Sequence, residues 1–400
     1  MNPEKYRKDF PLLVRGFGGK PVVYFDNACV TLKPRQVIEA MNRYYEEFPA
    51  CHGRSYHKLG MKVTEEYEKA RETLKKFVGA KRSGEIIFLR NTTEAINLVA
   101  NSIGLRKGDV VLTSDKEHNS NLVPWLFLEK KVGIKHEVVK TGEEGILEPE
   151  ALQEALNRKV RLVSLVHTSN LDGTTFPIKE LAAVCRDHGI PILVDGAQSV
   201  PHKEVKVDKL GVDFLAFSGH KMLGPSGIGC LYGRYELLEK MEPFLTGGDT
   251  VEDTTYTSCR LSKPPEKFEA GLQNYAGAIG LAEAARYVER VGRENIERHE
   301  VKLNRLITEG ISGIAEILGP GPEKRGGIVS FTVPGIHPHD ISAFMDMHNI
   351  FIRSGAHCVH SWFNARGLEG SARASLYLYN TKEEAEKFVE VLKKTVETFG

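Results

Sequence analysis

The sequence predicts an α/β protein, a mostly parallel sheet sandwiched between helices and followed by a smaller α+β part. Three observations carry that expectation. Apolar runs of strand length, such as Val110 to Thr113, Arg161 to His167, Ile192 to Asp195 and Val212 to Phe217, alternate with helical runs between about residues 20 and 235. At 400 residues the chain is too long for one small core and suits a large domain plus a lesser one. With 41% hydrophobic and 27% charged residues it has the composition of a folded globular protein, not a disordered one.

Each element follows in order. Residues 1–20 are charged and then Gly-rich, an arm that packs elsewhere. Val22 to Ala28 forms a short strand leading into a loop, and Pro34 opens an amphipathic helix through about Phe48. Cys51 to His57 is a polar loop rich in functional side chains, and Met61 to Val78 is a helix closed by Gly79. Glu85 to Leu89 is a strand that runs into Asn91-Thr92-Thr93-Glu94. Asn91 with Glu94 three residues on fits a capping box for a helix from Thr92 to Asn101. By itself that stretch is either simple capping or a helix N-terminus whose N–H groups and hydroxyls hold a phosphate. His118 follows the strand Val110 to Thr113, and taken alone is either a surface histidine or a ring facing a site. The strand Arg161 to His167 ends at Thr168-Ser169-Asn170. Gly247 to Pro265 reads as a long exposed connection, and the smaller part begins near Asn295. The expected division is 21–289 for the large domain, and 1–20 with 290–400 for the small one. No internal repeat or low-complexity segment interrupts it.

Composition also excludes functions. Lys+Arg 54 against Asp+Glu 53 leaves a net charge of +1, so nothing asks for nucleic acid or an anionic membrane as partner. No apolar run approaches membrane-spanning length, and the first thirty residues are too charged for a signal peptide. The six cysteines form no CxxC pair, so no metal site is expected. Scattered thiols of this kind suit a reducing cytoplasm, five of them as packing residues. No GxGxxG follows the first strand, which argues against a plain dinucleotide-binding protein.

The chemistry concentrates at Ser218-Gly219-His220-Lys221, at the end of one apolar run, with Gly224-Pro225-Ser226-Gly227 before the next. A lysine at the lip of a strand suits a Schiff base, because its amine must be partly desolvated and neutral to attack a carbonyl. Glycines there let backbone approach a ligand closely. The plainer reading is an exposed lysine in a Gly/Pro turn. Asp195 ends the strand before, 26 residues upstream (221 − 195), which leaves room for one short strand between them. Both side chains could then emerge at one sheet edge, with the carboxylate keeping a pyridine nitrogen protonated.

Asp195-Gly196-Ala197-Gln198 followed by Ser218-Gly219-His220-Lys221 resembles the fold-type I pyridoxal-phosphate enzymes of the class V aminotransferase group. Within that group the chain looks most like the cysteine desulfurases of the sulfur-mobilisation type, from about Asp9 to about Thr381. The resemblance implies a large domain with a mostly parallel seven-stranded sheet and pyridoxal phosphate on Lys221. It implies that Asp195 pairs with the pyridine nitrogen, that Gln198 bonds the ring oxygen, and that Thr92, Thr93, Ser218 and His220 hold the phosphate. Glu117-His118-Asn119-Ser120-Asn121 matches the family segment whose histidine stacks on the ring as an acid–base group, here His118. Asn170 matches the asparagine near the phenolic oxygen and the substrate carboxylate.

Arg353-Ser354-Gly355-Ala356-His357-Cys358 looks like the persulfide loop, and Arg373 like the carboxylate clamp, a task suited to its planar fork. A thiol at its ordinary pKa is only a few per cent thiolate at pH 7, so an active Cys358 needs electropositive help, and Arg353 and His357 are the nearest candidates. Ala28 and Arg353 are also implied to lie by the substrate. The short gap from Cys358 to Arg373 (373 − 358 = 15) resembles the compact-loop group II enzymes. The implied reaction converts L-cysteine to L-alanine, with the sulfur left on Cys358 as a persulfide for iron–sulfur or other sulfur-containing cofactor assembly.

Phe268-Glu269-Ala270-Gly271-Leu272-Gln273-Asn274 resembles a segment that reaches a neighbouring subunit's phosphate, which implies a homodimer. A sulfur-acceptor or scaffold protein is the implied partner. The chain departs from the family pattern at Leu272 (a threonine in relatives), at Ala356 and Gly53 (often histidine), and at Val359-His360-Ser361. A selenocysteine lyase, a kynureninase-like hydrolase, an aminotransferase and a sulfur-transfer scaffold without turnover are the alternatives.

Overall fold

The computed structural model describes residues 1–399 and contains the expected parallel sheet. After a two-residue strand β1 (Val23–Tyr24), seven strands form the central sheet. They are β2 (Ile86–Leu89), β3 (Val110–Ser114), β4 (Lys135–Val139), β5 (Val160–Val166), β6 (Ile192–Asp195), β7 (Phe214–Ser218) and β8 (Gly229–Gly233). Their order is β2-β8-β7-β6-β5-β3-β4, and β8 alone runs antiparallel to its neighbours. Buried strands in such a sheet have two apolar faces. Leu215 and Phe217 of β7 face the helices Lys58–Val78 and Tyr275–Val291, while Phe214 and Ala216 face Thr92–Ser102 and Val123–Val132. That alternation follows from the two-residue period of a strand.

Beyond the sheet the expected open connection contains a hairpin, β9 (Val251–Thr254) with β10 (Cys259–Leu261). Its side chains are largely exposed and polar, so no alternation of apolar residues announces it. A second, antiparallel sheet follows. It comprises β11 (Glu316–Leu318), β12 (Ile328–Thr332), β14 (Arg353–Gly355) and β15 (Ser371–Ser375), in the order β11-β12-β15-β14. β13 (Ile350–Phe351) pairs instead with β1, in parallel. Helices Arg293–Gly310, Pro338–Met347 and Lys382–Phe399 supply apolar side chains to its core.

The N-terminal arm forms two short helices, Glu4–Arg7 and Pro11–Arg15, and buries Phe10 against Tyr287 and Tyr379 at centroid distances of 6.0 and 4.5 Å. Val23 and Phe25 pack into the second sheet's core, with Phe25 5.9 Å from Phe388. One strand therefore carries the loop that follows it, Asp26 to Cys29, from the second sheet toward the strand ends of the first.

Candidate active site

All the strands that run in one direction end at one edge of the central sheet, and in open α/β sheets ligands bind at that edge. A cavity of about 210 Å³ lies there. Its floor comes from β6 and β7, which are hydrogen-bonded neighbours. Asp195 ends β6, and Lys221 ends a single turn, Gly219–Lys221, that follows β7 directly. A second short strand between them was expected; β7 is that strand.

Burial displaces both charges. It lowers the Lys221 pKa below the ordinary amine range, against the pull of Asp195, and so favours the neutral amine. The same cause raises Asp195, whose Oδ1 accepts only the Ala197 N–H, at 2.9 Å, from the protein. The glycines here serve protein packing as well as ligand access. A Cβ on Gly219 would lie 2.9 Å from the Ile228 carbonyl oxygen, and one on Gly229 2.7 Å from Asn91 Cα. These contacts bring the lysine turn and the Asn91 turn together.

That Asn91 turn forms one end of the cavity. Asn91 caps the helix Thr92–Ser102, its Oδ1 accepting the Glu94 N–H at 3.0 Å. Only this half of the expected box forms, because Glu94 Oε2 takes the Arg90 N–H at 2.6 Å instead. Ser218 Oγ accepts the Thr92 N–H at 2.8 Å and lies 2.6 Å from Thr92 Oγ1, while Thr93 Oγ1 lies 2.7 Å from Ser120 Oγ. His220 stands beside them, its pKa lowered to about 4 by burial and by Lys221 and Lys33. Hydroxyls and a helix N-terminus meet here, a combination that favours an anion.

The side wall carries His118. Its Nδ1 accepts the Ser120 N–H at 3.0 Å, which leaves Nε2 to bear the proton of a neutral ring. The ring is neutral because burial, with Lys221 and Arg373 nearby, lowers its pKa to about 3. Behind it Glu117 is buried and raised to about 8, tied to Ser114 Oγ, Asn121 Nδ2 and the Val166 N–H. Gln198 Nε2 donates to the Ala28 carbonyl at 2.6 Å, whereas its buried Oε1 has no partner.

Opposite the floor, the second sheet delivers two arginines in register, Arg353 on β14 and Arg373 on β15. Arg373 Nη1 donates to the Asn170 carbonyl at 2.8 Å and Nη2 reaches Asp26 Oδ1 at 3.5 Å, while its buried Nε is unpaired. Burial lowers its pKa only to about 10, so it keeps its charge at neutral pH. Arg353 Nη2 donates to Cys358 Sγ at 3.8 Å.

His357 and Cys358 are consecutive left-handed residues, at φ 48° and 60°. Such backbone costs of order 1–3 kcal/mol per residue and persists only where its surroundings hold it. Here Asn170 Nδ2 donates to the His357 carbonyl at 2.6 Å, and the Asn119 N–H donates to the Cys358 carbonyl at 2.8 Å. Ala356 and Val359 pack with Leu171 and Phe363, an apolar patch that a histidine at 356 would disturb. His357, expected to help charge the thiol, does not. Its Nε2 lies 2.9 Å from Ser371 Oγ, and burial lowers its pKa to about 2, so the ring carries no positive charge.

The cofactor- and substrate-site residues expected from the sequence line one cavity: Lys221, Asp195, His118, Gln198, Thr92, Thr93, Ser218, His220, Asn170, Arg373, Arg353, Ala28 and Cys358. The polar loop Cys51 to His57 does not. His57 caps the helix Lys58–Val78, Arg54 pairs with Asp249 at 2.6 Å, and Gly53 is exposed. Leu272 is exposed as well, and Gln273 Nε2 bonds the Gly271 carbonyl. Sequence reasoning missed Cys29, which it grouped with the packing thiols and which lines the same cavity, and Asp26, the acid on Arg373. Their position at the end of the first apolar run was the available signal. Among the described residues no cluster could hold a metal ion.

These residues fit pyridoxal phosphate. The unpaired Gln198 Oε1, the Asp195 carboxyl with its single protein donor and the hydroxyl-rich helix N-terminus suit a ring O–H, a ring N–H and a phosphate in turn.

Comparison with known proteins agrees. A profile described as aminotransferase class-V matches residues 23–388. A probable cysteine desulfurase of Halalkalibacterium halodurans is 41% identical, covering 100% of this chain and 99% of its own length. One from Pyrococcus abyssi is 42% identical, over 99% and 98%. Among solved structures, an apo cysteine desulfurase from Thermococcus onnurineus superposes with a TM-score of 0.95 at 42% identity, covering 100% of this chain and 99% of that one. The cysteine desulfurase CsdA of Escherichia coli, in an S-sulfonic acid form, reaches a TM-score of 0.92 at 31% identity over the whole of both chains.

Proposed function

We infer the activity from one premise: the chain belongs to the class-V aminotransferase family. It is a pyridoxal-phosphate-dependent cysteine desulfurase that takes sulfur from L-cysteine and leaves L-alanine. The observation that carries the finer reading is the placement of the Cys358 thiol, held by Arg353, in the same cavity as Lys221 and Asp195.

Bound pyridoxal phosphate supplies an electron sink for the substrate's Cα–H bond. The chain's own residues do the rest. Arg373, with its free Nε, and Asn170 fix the substrate carboxylate. Lys221, whose amine burial shifts toward the neutral form, takes the α-proton at Nζ. His118, neutral and with its proton on Nε2, moves protons at the opposite side. Asp195 would keep the ring nitrogen protonated, and Thr92, Thr93, Ser218 and His220 would hold the phosphate. Cys358 thiolate, beside the Arg353 cation, attacks the substrate sulfur, the Cβ–S bond breaks, and a Cys358 persulfide and alanine result.

The same proposal includes a homodimer, supported by the exposed Leu272 loop and hairpin, and a sulfur-acceptor protein or iron–sulfur scaffold as recipient. It includes a cytoplasmic setting; among the described residues no helix is long and apolar enough to cross a membrane. It also includes the division of the chain into 21–289 and 1–20 with 290–400. Two measurements test the site. Borohydride reduction followed by peptide mapping is expected to place the cofactor on Lys221. Cys358→Ala is expected to abolish persulfide formation while leaving the cofactor's absorbance intact; loss of that absorbance would refute this division of roles.

A further inference from the structure

Cys29 has no task in the reaction above, yet it sits inside its cavity. It lies on the turn after β1, where its N–H donates to the Asp26 carbonyl at 3.2 Å. Arg353 joins it to the persulfide thiol. Nη1 donates to Cys29 Sγ at 3.0 Å, and Nη2 of the same guanidinium donates to Cys358 Sγ at 3.8 Å. One guanidinium therefore bridges the two sulfurs, and both are half-buried. Cys185 and Cys230, by contrast, are fully buried packing residues in the apolar core, as expected from the sequence.

A cation between two sulfurs favours negative charge on either of them, and sulfur transfer between thiols moves that charge from one to the other. Resting on the desulfurase reading, we propose that Cys29 is a second sulfur-carrying thiol, which accepts the outer sulfur of the Cys358 persulfide. The Cys29 thiolate attacks the outer sulfur, the S–S bond to Cys358 breaks, and Cys358 leaves as a thiolate beside Arg353. One S–S bond forms and one breaks, so no oxidant or reductant is consumed. Cys358 is then free for another L-cysteine, and each chain stores two sulfur atoms.

The test uses holoenzyme and L-cysteine without reductant or acceptor, quenched with an alkylating agent at successive times. Alanine per chain is counted, and the two cysteine peptides are mapped by mass. The expected result is a persulfide on Cys358 first and on Cys29 afterwards, with two alanines per chain in the burst. Cys29→Ala is expected to halve the burst to one, and Cys358→Ser to leave Cys29 without added sulfur. A Cys29 that never gains sulfur while Cys358 does overturns the proposal and leaves the desulfurase reading standing. So does a Cys29 loaded in Cys358→Ser, or a Cys29–Cys358 disulfide with release of free sulfide. Absence of alanine altogether overturns both readings.

Discussion

At the floor of the cavity the reactive side chains leave the ends of buried parallel strands, whereas at its rim Cys358 sits on a left-handed two-residue turn between β14 and the helix His360–Asn364. The floor and side wall are tuned by burial: Lys221 is pushed down, Asp195 up, and His118 held neutral. The rim is aimed rather than tuned. Its backbone is held in an unfavourable conformation by Asn170 and Asn119, and its charge is borrowed from Arg353 on the neighbouring strand. Cofactor chemistry and sulfur capture are thus assigned to different physical devices, and variants at one end should spare the other.

The largest effect is expected at Lys221. Lys221→Ala should lower alanine formation by about 10⁴-fold or more, since nucleophile and base are lost together. Cys358→Ala should lose sulfur capture just as completely but keep the cofactor spectrum. Measuring turnover and absorbance on both variants breaks the comparison if the two spectra change alike. Asp195→Asn should follow with a loss of about 10²–10³-fold, the scale of one electrostatic partner of the reacting group. Its measurement is kcat together with the absorbance maximum, which should shift as the ring nitrogen loses its anion.

At the rim, Ser371→Ala removes the partner of His357 Nε2 and leaves that buried atom unpaired. The expected cost is about 1–3 kcal/mol by denaturant unfolding, with faster alkylation of Cys358 as the turn loosens. A further prediction concerns pH. His118 is depressed to about 3 when folded, against an ordinary value near 6.5. The unfolded chain therefore binds its proton first as pH falls. Stability should be fully present above about pH 6.5 and lost below it, approaching about 1.4 kcal/mol per pH unit toward pH 3. In unfolding experiments on the cofactor-free protein, His118→Gln should remove that part of the acid slope. An unchanged slope would mean that the ring is not held neutral.

The floor was legible in the sequence because its residues follow apolar runs, and a strand end points a side chain to a predictable edge. Asp195 and Lys221 were found that way. Family resemblance added Thr92, Asn170, His118, Arg373 and Cys358. The hairpin β9–β10 was missed because its exposed, polar strands leave no periodic signal. His357 was misjudged because adjacency to Cys358 in sequence says nothing about a left-handed turn, which sends the ring toward Ser371. Cys29 was passed over for a related reason. Its partner Arg353 lies 324 residues away, a contact brought about by the pairing of β1 with β13 and of the following turn with β15.

The most direct test of the division between floor and rim is the mass of the Cys358 peptide after the holoenzyme meets L-cysteine. One added sulfur atom on that peptide, appearing with alanine, is the predicted result. Alanine formed while Cys358 gains no sulfur at any time would contradict it.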